Sequence, residues 1–214
     1  MKRSRLSTDM RPSAWWHMDE GEWYAAVLEH WCKHVSSEDD DGVLGGYGEI
    51  DERDATASLA FARSWNHTHD GYNGFARGSV ALDCGAGIGR VSKRVLLHLC
   101  ERVELVEVSQ PLLAQAEKNL SDIPSHRLIF TQGSLPTFSP SEEAYDIVWM
   151  QWVLGHLTDS DVIGLLSRCR RALKEGGVLV VKDNNAPPAM CIATKGRYIL
   201  DEENAAVIRS YRRG

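Results

Sequence analysis

From Ser79 onward, short apolar runs rich in β-formers alternate with stretches of helical period. Residues 79–84 (Ser-Val-Ala-Leu-Asp-Cys) read as a buried strand, and 91–100 as a helix with Val91, Val95, Leu96 and Leu99 on one face. The unit repeats: 103–108 reads as a second strand, 111–120 as a helix with Pro111 in its first turn, 128–131 as a third strand and 147–150 as a fourth. Residues 159–173 predict a helix with a Gly176-Gly177 stop just past its end, and 178–181 predict a fifth strand. Strands separated by helices of this length imply an α/β architecture. The expected fold is a doubly wound, mostly parallel, Rossmann-like sheet with a ligand at the carboxyl ends of its strands.

The first 78 residues have another character. They hold five of the seven tryptophans (Trp15, Trp16, Trp23, Trp31, Trp65) and an acidic stretch, Glu38-Asp39-Asp40-Asp41, that reads as a linker. Trp23, Val27 and Trp31 recur every four residues, and Ala55, Leu59 and Ala62 follow at i, i+4 and i+7, so 20–31 and 55–65 predict helices capping the sheet. Most of these tryptophans read as core anchors. Between the helices, Gly42, Gly45, Gly46 and Gly48 mark a backbone that bends sharply or is approached closely. The division expected is a helical cap with a glycine-rich loop over 1–78 and one ligand-binding core over 79–214.

Composition narrows the chemistry. Twenty-four Lys and Arg against 30 Asp and Glu, a net charge of −6, argue against nucleic acid as the primary partner and suit a cationic substrate. Five widely spaced cysteines (Cys32, Cys84, Cys100, Cys169, Cys191) without a C-x-x-C predict neither a disulfide framework nor a zinc site, and fit a reducing compartment. His67 and His69 form an H-x-H without a third ligand nearby, so no metal site is expected. No apolar run approaches the roughly 20 residues of a membrane span, and the basic Met1 to Arg5 leads into no apolar stretch, so neither membrane nor secretory signal is predicted.

Asp83-Cys84-Gly85-Ala86-Gly87-Ile88-Gly89-Arg90 closes the first strand and opens the next helix. Gly85, Gly87 and Gly89 clear the turn of side chains so that an adenosyl group can lie against the backbone. A dinucleotide loop places its third glycine three residues after the second, where this chain has Arg90, so the spacing favours S-adenosylmethionine over NAD. Glu107, ending the second strand 18 residues after Gly89, is placed to accept both ribose hydroxyls. Arg90 suits the cofactor carboxylate, Leu135 the adenine pocket and Gln151 the cofactor's amino-acid end.

Asp41-Gly42-Val43-Leu44-Gly45-Gly46-Tyr47-Gly48, the Asp83 to Arg90 loop, Gln151-Trp152-Val153-Leu154-Gly155-His156-Leu157-Thr158-Asp159 and Lys182-Asp183-Asn184 together resemble the protein N-terminal methyltransferases. The resemblance runs over roughly residues 20–210. It implies a class I, S-adenosylmethionine-dependent enzyme that methylates the α-amino group of proteins beginning X-Pro-Lys or X-Pro-Arg, ribosomal and chromatin-associated proteins among them. It further implies a monomer, cytoplasmic or also nuclear, with no metal. By the same resemblance Trp152 packs on the substrate proline, Asn184 holds the first peptide carbonyl and His156 assists deprotonation. Trp31 flanks the entry channel, while Leu44 and Gly45 line the peptide groove.

Two departures stand out. The family carries two acids near its substrate-lysine pocket; here Asp201 matches the first and Asn204 stands where the second is expected. An amide accepts no proton, so the resemblance implies slow transfer if that acid is a base. The chain also stops at Gly214, where the family continues through a further helix and two strands, so a truncated or divergent member is expected; the alternatives are a catalytically weak or inactive cofactor-binding regulatory protein and a small-molecule methyltransferase of the same fold.

Overall fold

In the computed structural model, which describes residues 19–35, 39–65, 78–186, 198–201 and 206–210, five strands form a wholly parallel sheet of order β3-β2-β1-β4-β5. They are β1 (Val80–Cys84), β2 (Arg102–Glu107), β3 (Leu128–Gln132), β4 (Tyr145–Gln151) and β5 (Leu173–Lys182). Three helices of the core connect them: α4 (Arg90–Arg94), α5 (Gln110–Asn119) and α6 (Asp159–Ala172). Ahead of the core lie α1 (Glu20–Glu29), α2 (Asp40–Val43) and α3 (Asp51–Trp65).

Alternation along the strands sorts the core into two layers. Ala81, Val103, Leu105, Ile147, Trp149 and Val180 face one side and pack with Ala55 and Ala62 of α3, Val91 of α4, and Ala116 of α5. Val80, Leu82, Cys84, Val148 and Met150 face the other and meet Leu165, Cys169 and Ala172 of α6. Both faces are therefore covered, as a doubly wound sheet requires. The chain order reverses between β1 and β4, which opens a crevice at their carboxyl ends.

Four local expectations are corrected. The helix expected over 91–100 stops at Arg94 and passes into a 3₁₀ turn, Leu96–His98. Val95 leaves the helical region at φ −126°, ψ −61°, and the chain turns there with Val95 and Leu96 both buried. The Gly176-Gly177 pair does not stop α6; it lies inside β5, where pairing jumps from Tyr145–Leu173 to Ile147–Val178. Gly176 takes φ +76°, and a Cβ on Gly177 would sit 2.9 Å from the Lys174 carbonyl oxygen, so the pair forms a bulge that only glycine fits. The helix expected over 20–31 continues past Glu29 as a π turn, His30–His34. Glu38 lies outside the described residues, but Asp39 to Asp41 of the acidic stretch are built into the cap rather than a linker: Asp39 caps α2 by accepting from the Gly42 N–H, and Asp41 accepts from the Gly48 N–H.

A short antiparallel pair, β6 (Tyr198–Asp201) and β7 (Ala206–Arg209), lies apart from the main sheet. Its Val207 packs with Trp23 and Val27 of α1. Among the described residues no helix is long and apolar enough to cross a membrane.

Candidate active site

A cavity of about 310 Å³ opens at the carboxyl ends of β1, β2 and β4, with α1 and α2 on its rim. The β1–α4 loop forms its floor. Gly85, Gly87 and Gly89 all have left-handed backbones (φ +73°, +56° and +80°), but they do different work. A Cβ on Gly85 would meet Val153 at 2.5 Å, and one on Gly89 would meet Leu120 at 2.9 Å, whereas one on Gly87 would meet nothing within 4 Å. Gly85 and Gly89 allow the loop to pack; Gly87 leaves open space beside the cavity for a ligand. Gly89→Ala is therefore expected to cost about 1–3 kcal/mol in stability, seen as a lower melting temperature. Gly87→Ala should weaken S-adenosylhomocysteine binding in calorimetry more than it lowers that temperature, and a purely thermal defect would show that Gly87 serves packing alone.

Glu107 is buried at the end of β2. One carboxylate oxygen accepts from the Gly87 N–H at 2.9 Å and the other from the Ser109 N–H at 2.8 Å. Burial pushes its carboxyl above the ordinary value, against the pull of these amides. Asp83, wholly buried and bonded to the Ser92 hydroxyl, is pushed up to about 6 by the same cause. Leu135 lines the far wall, held there by Arg168, which donates to the carbonyls of Leu135, Pro136 and Phe138.

Trp152 and His156 line the opposite side with Trp31 and Leu44. Trp152 adopts φ +55°, a conformation that costs a bulky residue about 1–2 kcal/mol. It is held there by an N–H bond to the Lys182 carbonyl and by the Arg90 guanidinium and Lys182 ammonium, 5.2 and 5.9 Å from the ring centre. His156 is buried, its ring edge-on to Trp31 at 5.1 Å and its carbonyl bonded to the Trp23 indole N–H at 2.8 Å. Its turn is clamped from outside: Arg209 of β7 donates to the carbonyls of Leu154 and Leu157, and Asp183 accepts backbone bonds from Leu154 and Gly155.

The structure thus gathers Gly85, Gly87, Arg90, Glu107, Leu135, Gln151, Trp31, Leu44, Trp152 and His156 around one cavity. Other expected site residues lie elsewhere. Gly89 caps α4 behind the loop, and Gly45 is an exposed turn residue outside the lining. Asn184 is exposed, with its backbone N–H on Asp183, and Asp201 ends β6 opposite Ala206; neither lines the cavity. Asn204, Glu202, Glu203, Trp15, Trp16, His67 and His69 lie outside the described residues. Sequence reasoning missed Asp51 and Asp54 of α3, which bind Arg90, and Lys182, which binds Asp54. Both acids lie ahead of the helix expected over 55–65, which in the structure begins at Asp51, and no local pattern marks a carboxylate there for a distant partner. Among the described residues no group of three or more His, Cys, Asp or Glu is placed to hold a metal ion.

A parallel sheet of this order, with a glycine loop after β1 and an acid ending β2, defines a Rossmann-like nucleotide-binding fold, and Arg90 in place of the third dinucleotide glycine makes it the methyltransferase kind. The residues fit S-adenosylmethionine: space beside Gly87, a carboxylate with free lone pairs in Glu107, and a guanidinium in Arg90. The chain belongs to the AdoMet-dependent proline di-methyltransferase family, whose model matches residues 19–213. It is 38% identical to the N-terminal Xaa-Pro-Lys N-methyltransferase 1 of Bos taurus over 192 residues, 90% of this chain and 80% of that protein. Identity to the protein of the same name from Homo sapiens is 36% over 191 residues, 89% of this chain and 80% of that one. A solved SAM-dependent methyltransferase of Leishmania major shares 28% identity and a TM-score of 0.73, covering 96% of this chain and 72% of that one.

Proposed function

We propose that this protein methylates the α-amino group of proteins that begin X-Pro-Lys or X-Pro-Arg. The observation that carries the reading is one cavity joining the glycine loop and Glu107 to Trp152 and His156. The family relationship supports it, since relatives about 36–38% identical are Xaa-Pro-Lys N-methyltransferases. Ribosomal and chromatin-associated proteins with such termini are the substrates proposed, met in the cytoplasm or nucleus by a monomeric enzyme.

When bound, S-adenosylmethionine supplies a methyl group on a sulfonium. Transfer to a neutral amine would leave S-adenosylhomocysteine and the methylated ammonium, so the proton that must be removed is the one the amine carries beforehand. An α-amino group has a reference pKa of about 7.7–8.0, so near neutral pH much of it carries the proton that blocks attack. His156 is the group proposed to take that proton, from a turn held at three of its backbone carbonyls. Trp152, in a pinned conformation, presents an aromatic wall suited to a proline ring and to the methylated ammonium product. With their excluded positions in this structure, Asn184 and Asp201 reach the peptide only if the substrate extends beyond the cavity.

Peptides beginning Ser-Pro-Lys, Ser-Ala-Lys and Ser-Pro-Glu test the reading. Turnover of Ser-Pro-Lys is expected to exceed that of the other two by about tenfold or more. Equal turnover of all three would show that neither proline nor the basic residue is recognised.

A further inference from the structure

One carboxylate outside the cavity controls two residues that line it. Asp54, on the first turn of α3, accepts from Arg90 Nη1 at 2.9 Å, from Gln151 Nε2 at 2.7 Å and from the Lys182 ammonium. These donors begin α4, end β4 and end β5, so the cap helix ties three elements of the core at one point. Arg90 and Gln151 line the cavity; Asp54, 8% exposed, does not.

The way Arg90 is held matters. Asp51 Oδ1 takes the same Nη1 at 2.7 Å, so both aspartates grip one nitrogen of the guanidinium. Among the described residues Arg90 makes no other hydrogen bond, which leaves Nη2 and Nε, an edge with the fork geometry of a carboxylate receptor, uncommitted. Gln151 is fixed from both ends, its Nε2 on Asp54 and its Oε1 on the Trp149 indole N–H at 3.0 Å. Burial alone would raise the Asp54 carboxyl; the bonds from Lys182, Gln151 and Arg90 outweigh it and hold it below the ordinary range, so it stays charged.

We propose that Asp54 is a positioning residue for the cofactor's amino-acid end: it presents the free edge of Arg90 and the amide of Gln151 to the α-carboxylate and α-ammonium of S-adenosylmethionine. Asp54 makes no contact with the ligand. It determines whether the methionine portion, rather than the adenosine, contributes to binding. A mobile guanidinium and amide would have to be ordered by the ligand itself, at the ligand's expense in affinity. The proposal rests on the reading of this cavity as the S-adenosylmethionine site.

Calorimetry on the full chain with two probes separates the possibilities. S-adenosylhomocysteine and 5′-methylthioadenosine share the adenosine and its thioether, and only the first has an amino-acid end. Asp54→Ala, and the near-isosteric Asp54→Asn in case the alanine variant fails to fold, are expected to weaken S-adenosylhomocysteine by about 10- to 100-fold, the worth of one charge-assisted hydrogen bond. Binding of 5′-methylthioadenosine should be unchanged. Equal weakening of both probes would mean that Asp54 only supports the fold, and no change in either, or tighter S-adenosylhomocysteine, would mean that it does not prepare Arg90; each overturns the proposal. Failure of the unaltered chain to bind either probe would overturn the cofactor reading itself, and with it this inference.

Discussion

Glu107→Ala is expected to weaken S-adenosylhomocysteine by about 10²–10⁴-fold, the worth of two hydrogen bonds to a charged acceptor. Two losses combine. The carboxylate would no longer receive the ribose hydroxyls, and the Gly87 and Ser109 amides that it now holds would lose their acceptor. The amide loss also reaches the π turn that follows α1, because the Ser109 hydroxyl donates to the carbonyl of Trp31, a cavity-lining residue. The pH dependence has a definite sign. Burial raises the Glu107 carboxyl above its unfolded value, so the charged form costs stability at high pH and that cost is relieved as pH falls through the folded value. Ligand binding moves the opposite way: protonation removes an acceptor, and affinity should decline on acidification in the wild type. Glu107→Gln should flatten that decline. Calorimetry across a pH series measures both effects, and binding within a few-fold of wild type would remove Glu107 from the site.

His156→Ala is expected to lower kcat by about 10²–10⁴-fold, the usual contribution of a positioned general base. Cofactor affinity should stay close to wild type, since the contact that fixes this turn to Trp23 uses the backbone carbonyl. The pH–rate profile distinguishes a base from a packing residue. Without His156 the amine must lose its proton to water, so residual activity should climb about tenfold per pH unit up to the amine pKa near 8. A parallel drop at every pH would instead place His156 among the packing residues around Trp31, 5.1 Å away. Undiminished turnover would show that the base lies elsewhere.

What the sequence determined was local. Strand and helix periods, the glycines that tolerate positive φ, and an acid directly ending β2 each act through neighbours a few residues away, so they are legible in the order of residues. One half of the cavity lining, Gly85, Gly87, Glu107, Leu135 and Gln151, follows from where those strands end. The resemblance to a family added Trp152 and His156, which the cavity brings together with it.

Only the tertiary structure decided contacts between distant segments. Asp54 meets Lys182 across 128 positions, and Trp23 meets His156 across 133; the free energy of such pairs depends on burial and mutual geometry, which no local pattern encodes. The same holds for Arg90, whose affinity for a carboxylate was readable while its hold by two cap aspartates was not. The Gly176-Gly177 pair shows the limit from the other side. Its composition fits a helix stop equally well, and it became a bulge because Leu173 pairs with Tyr145 immediately after α6, forcing four residues to be accommodated before Val178 meets Ile147.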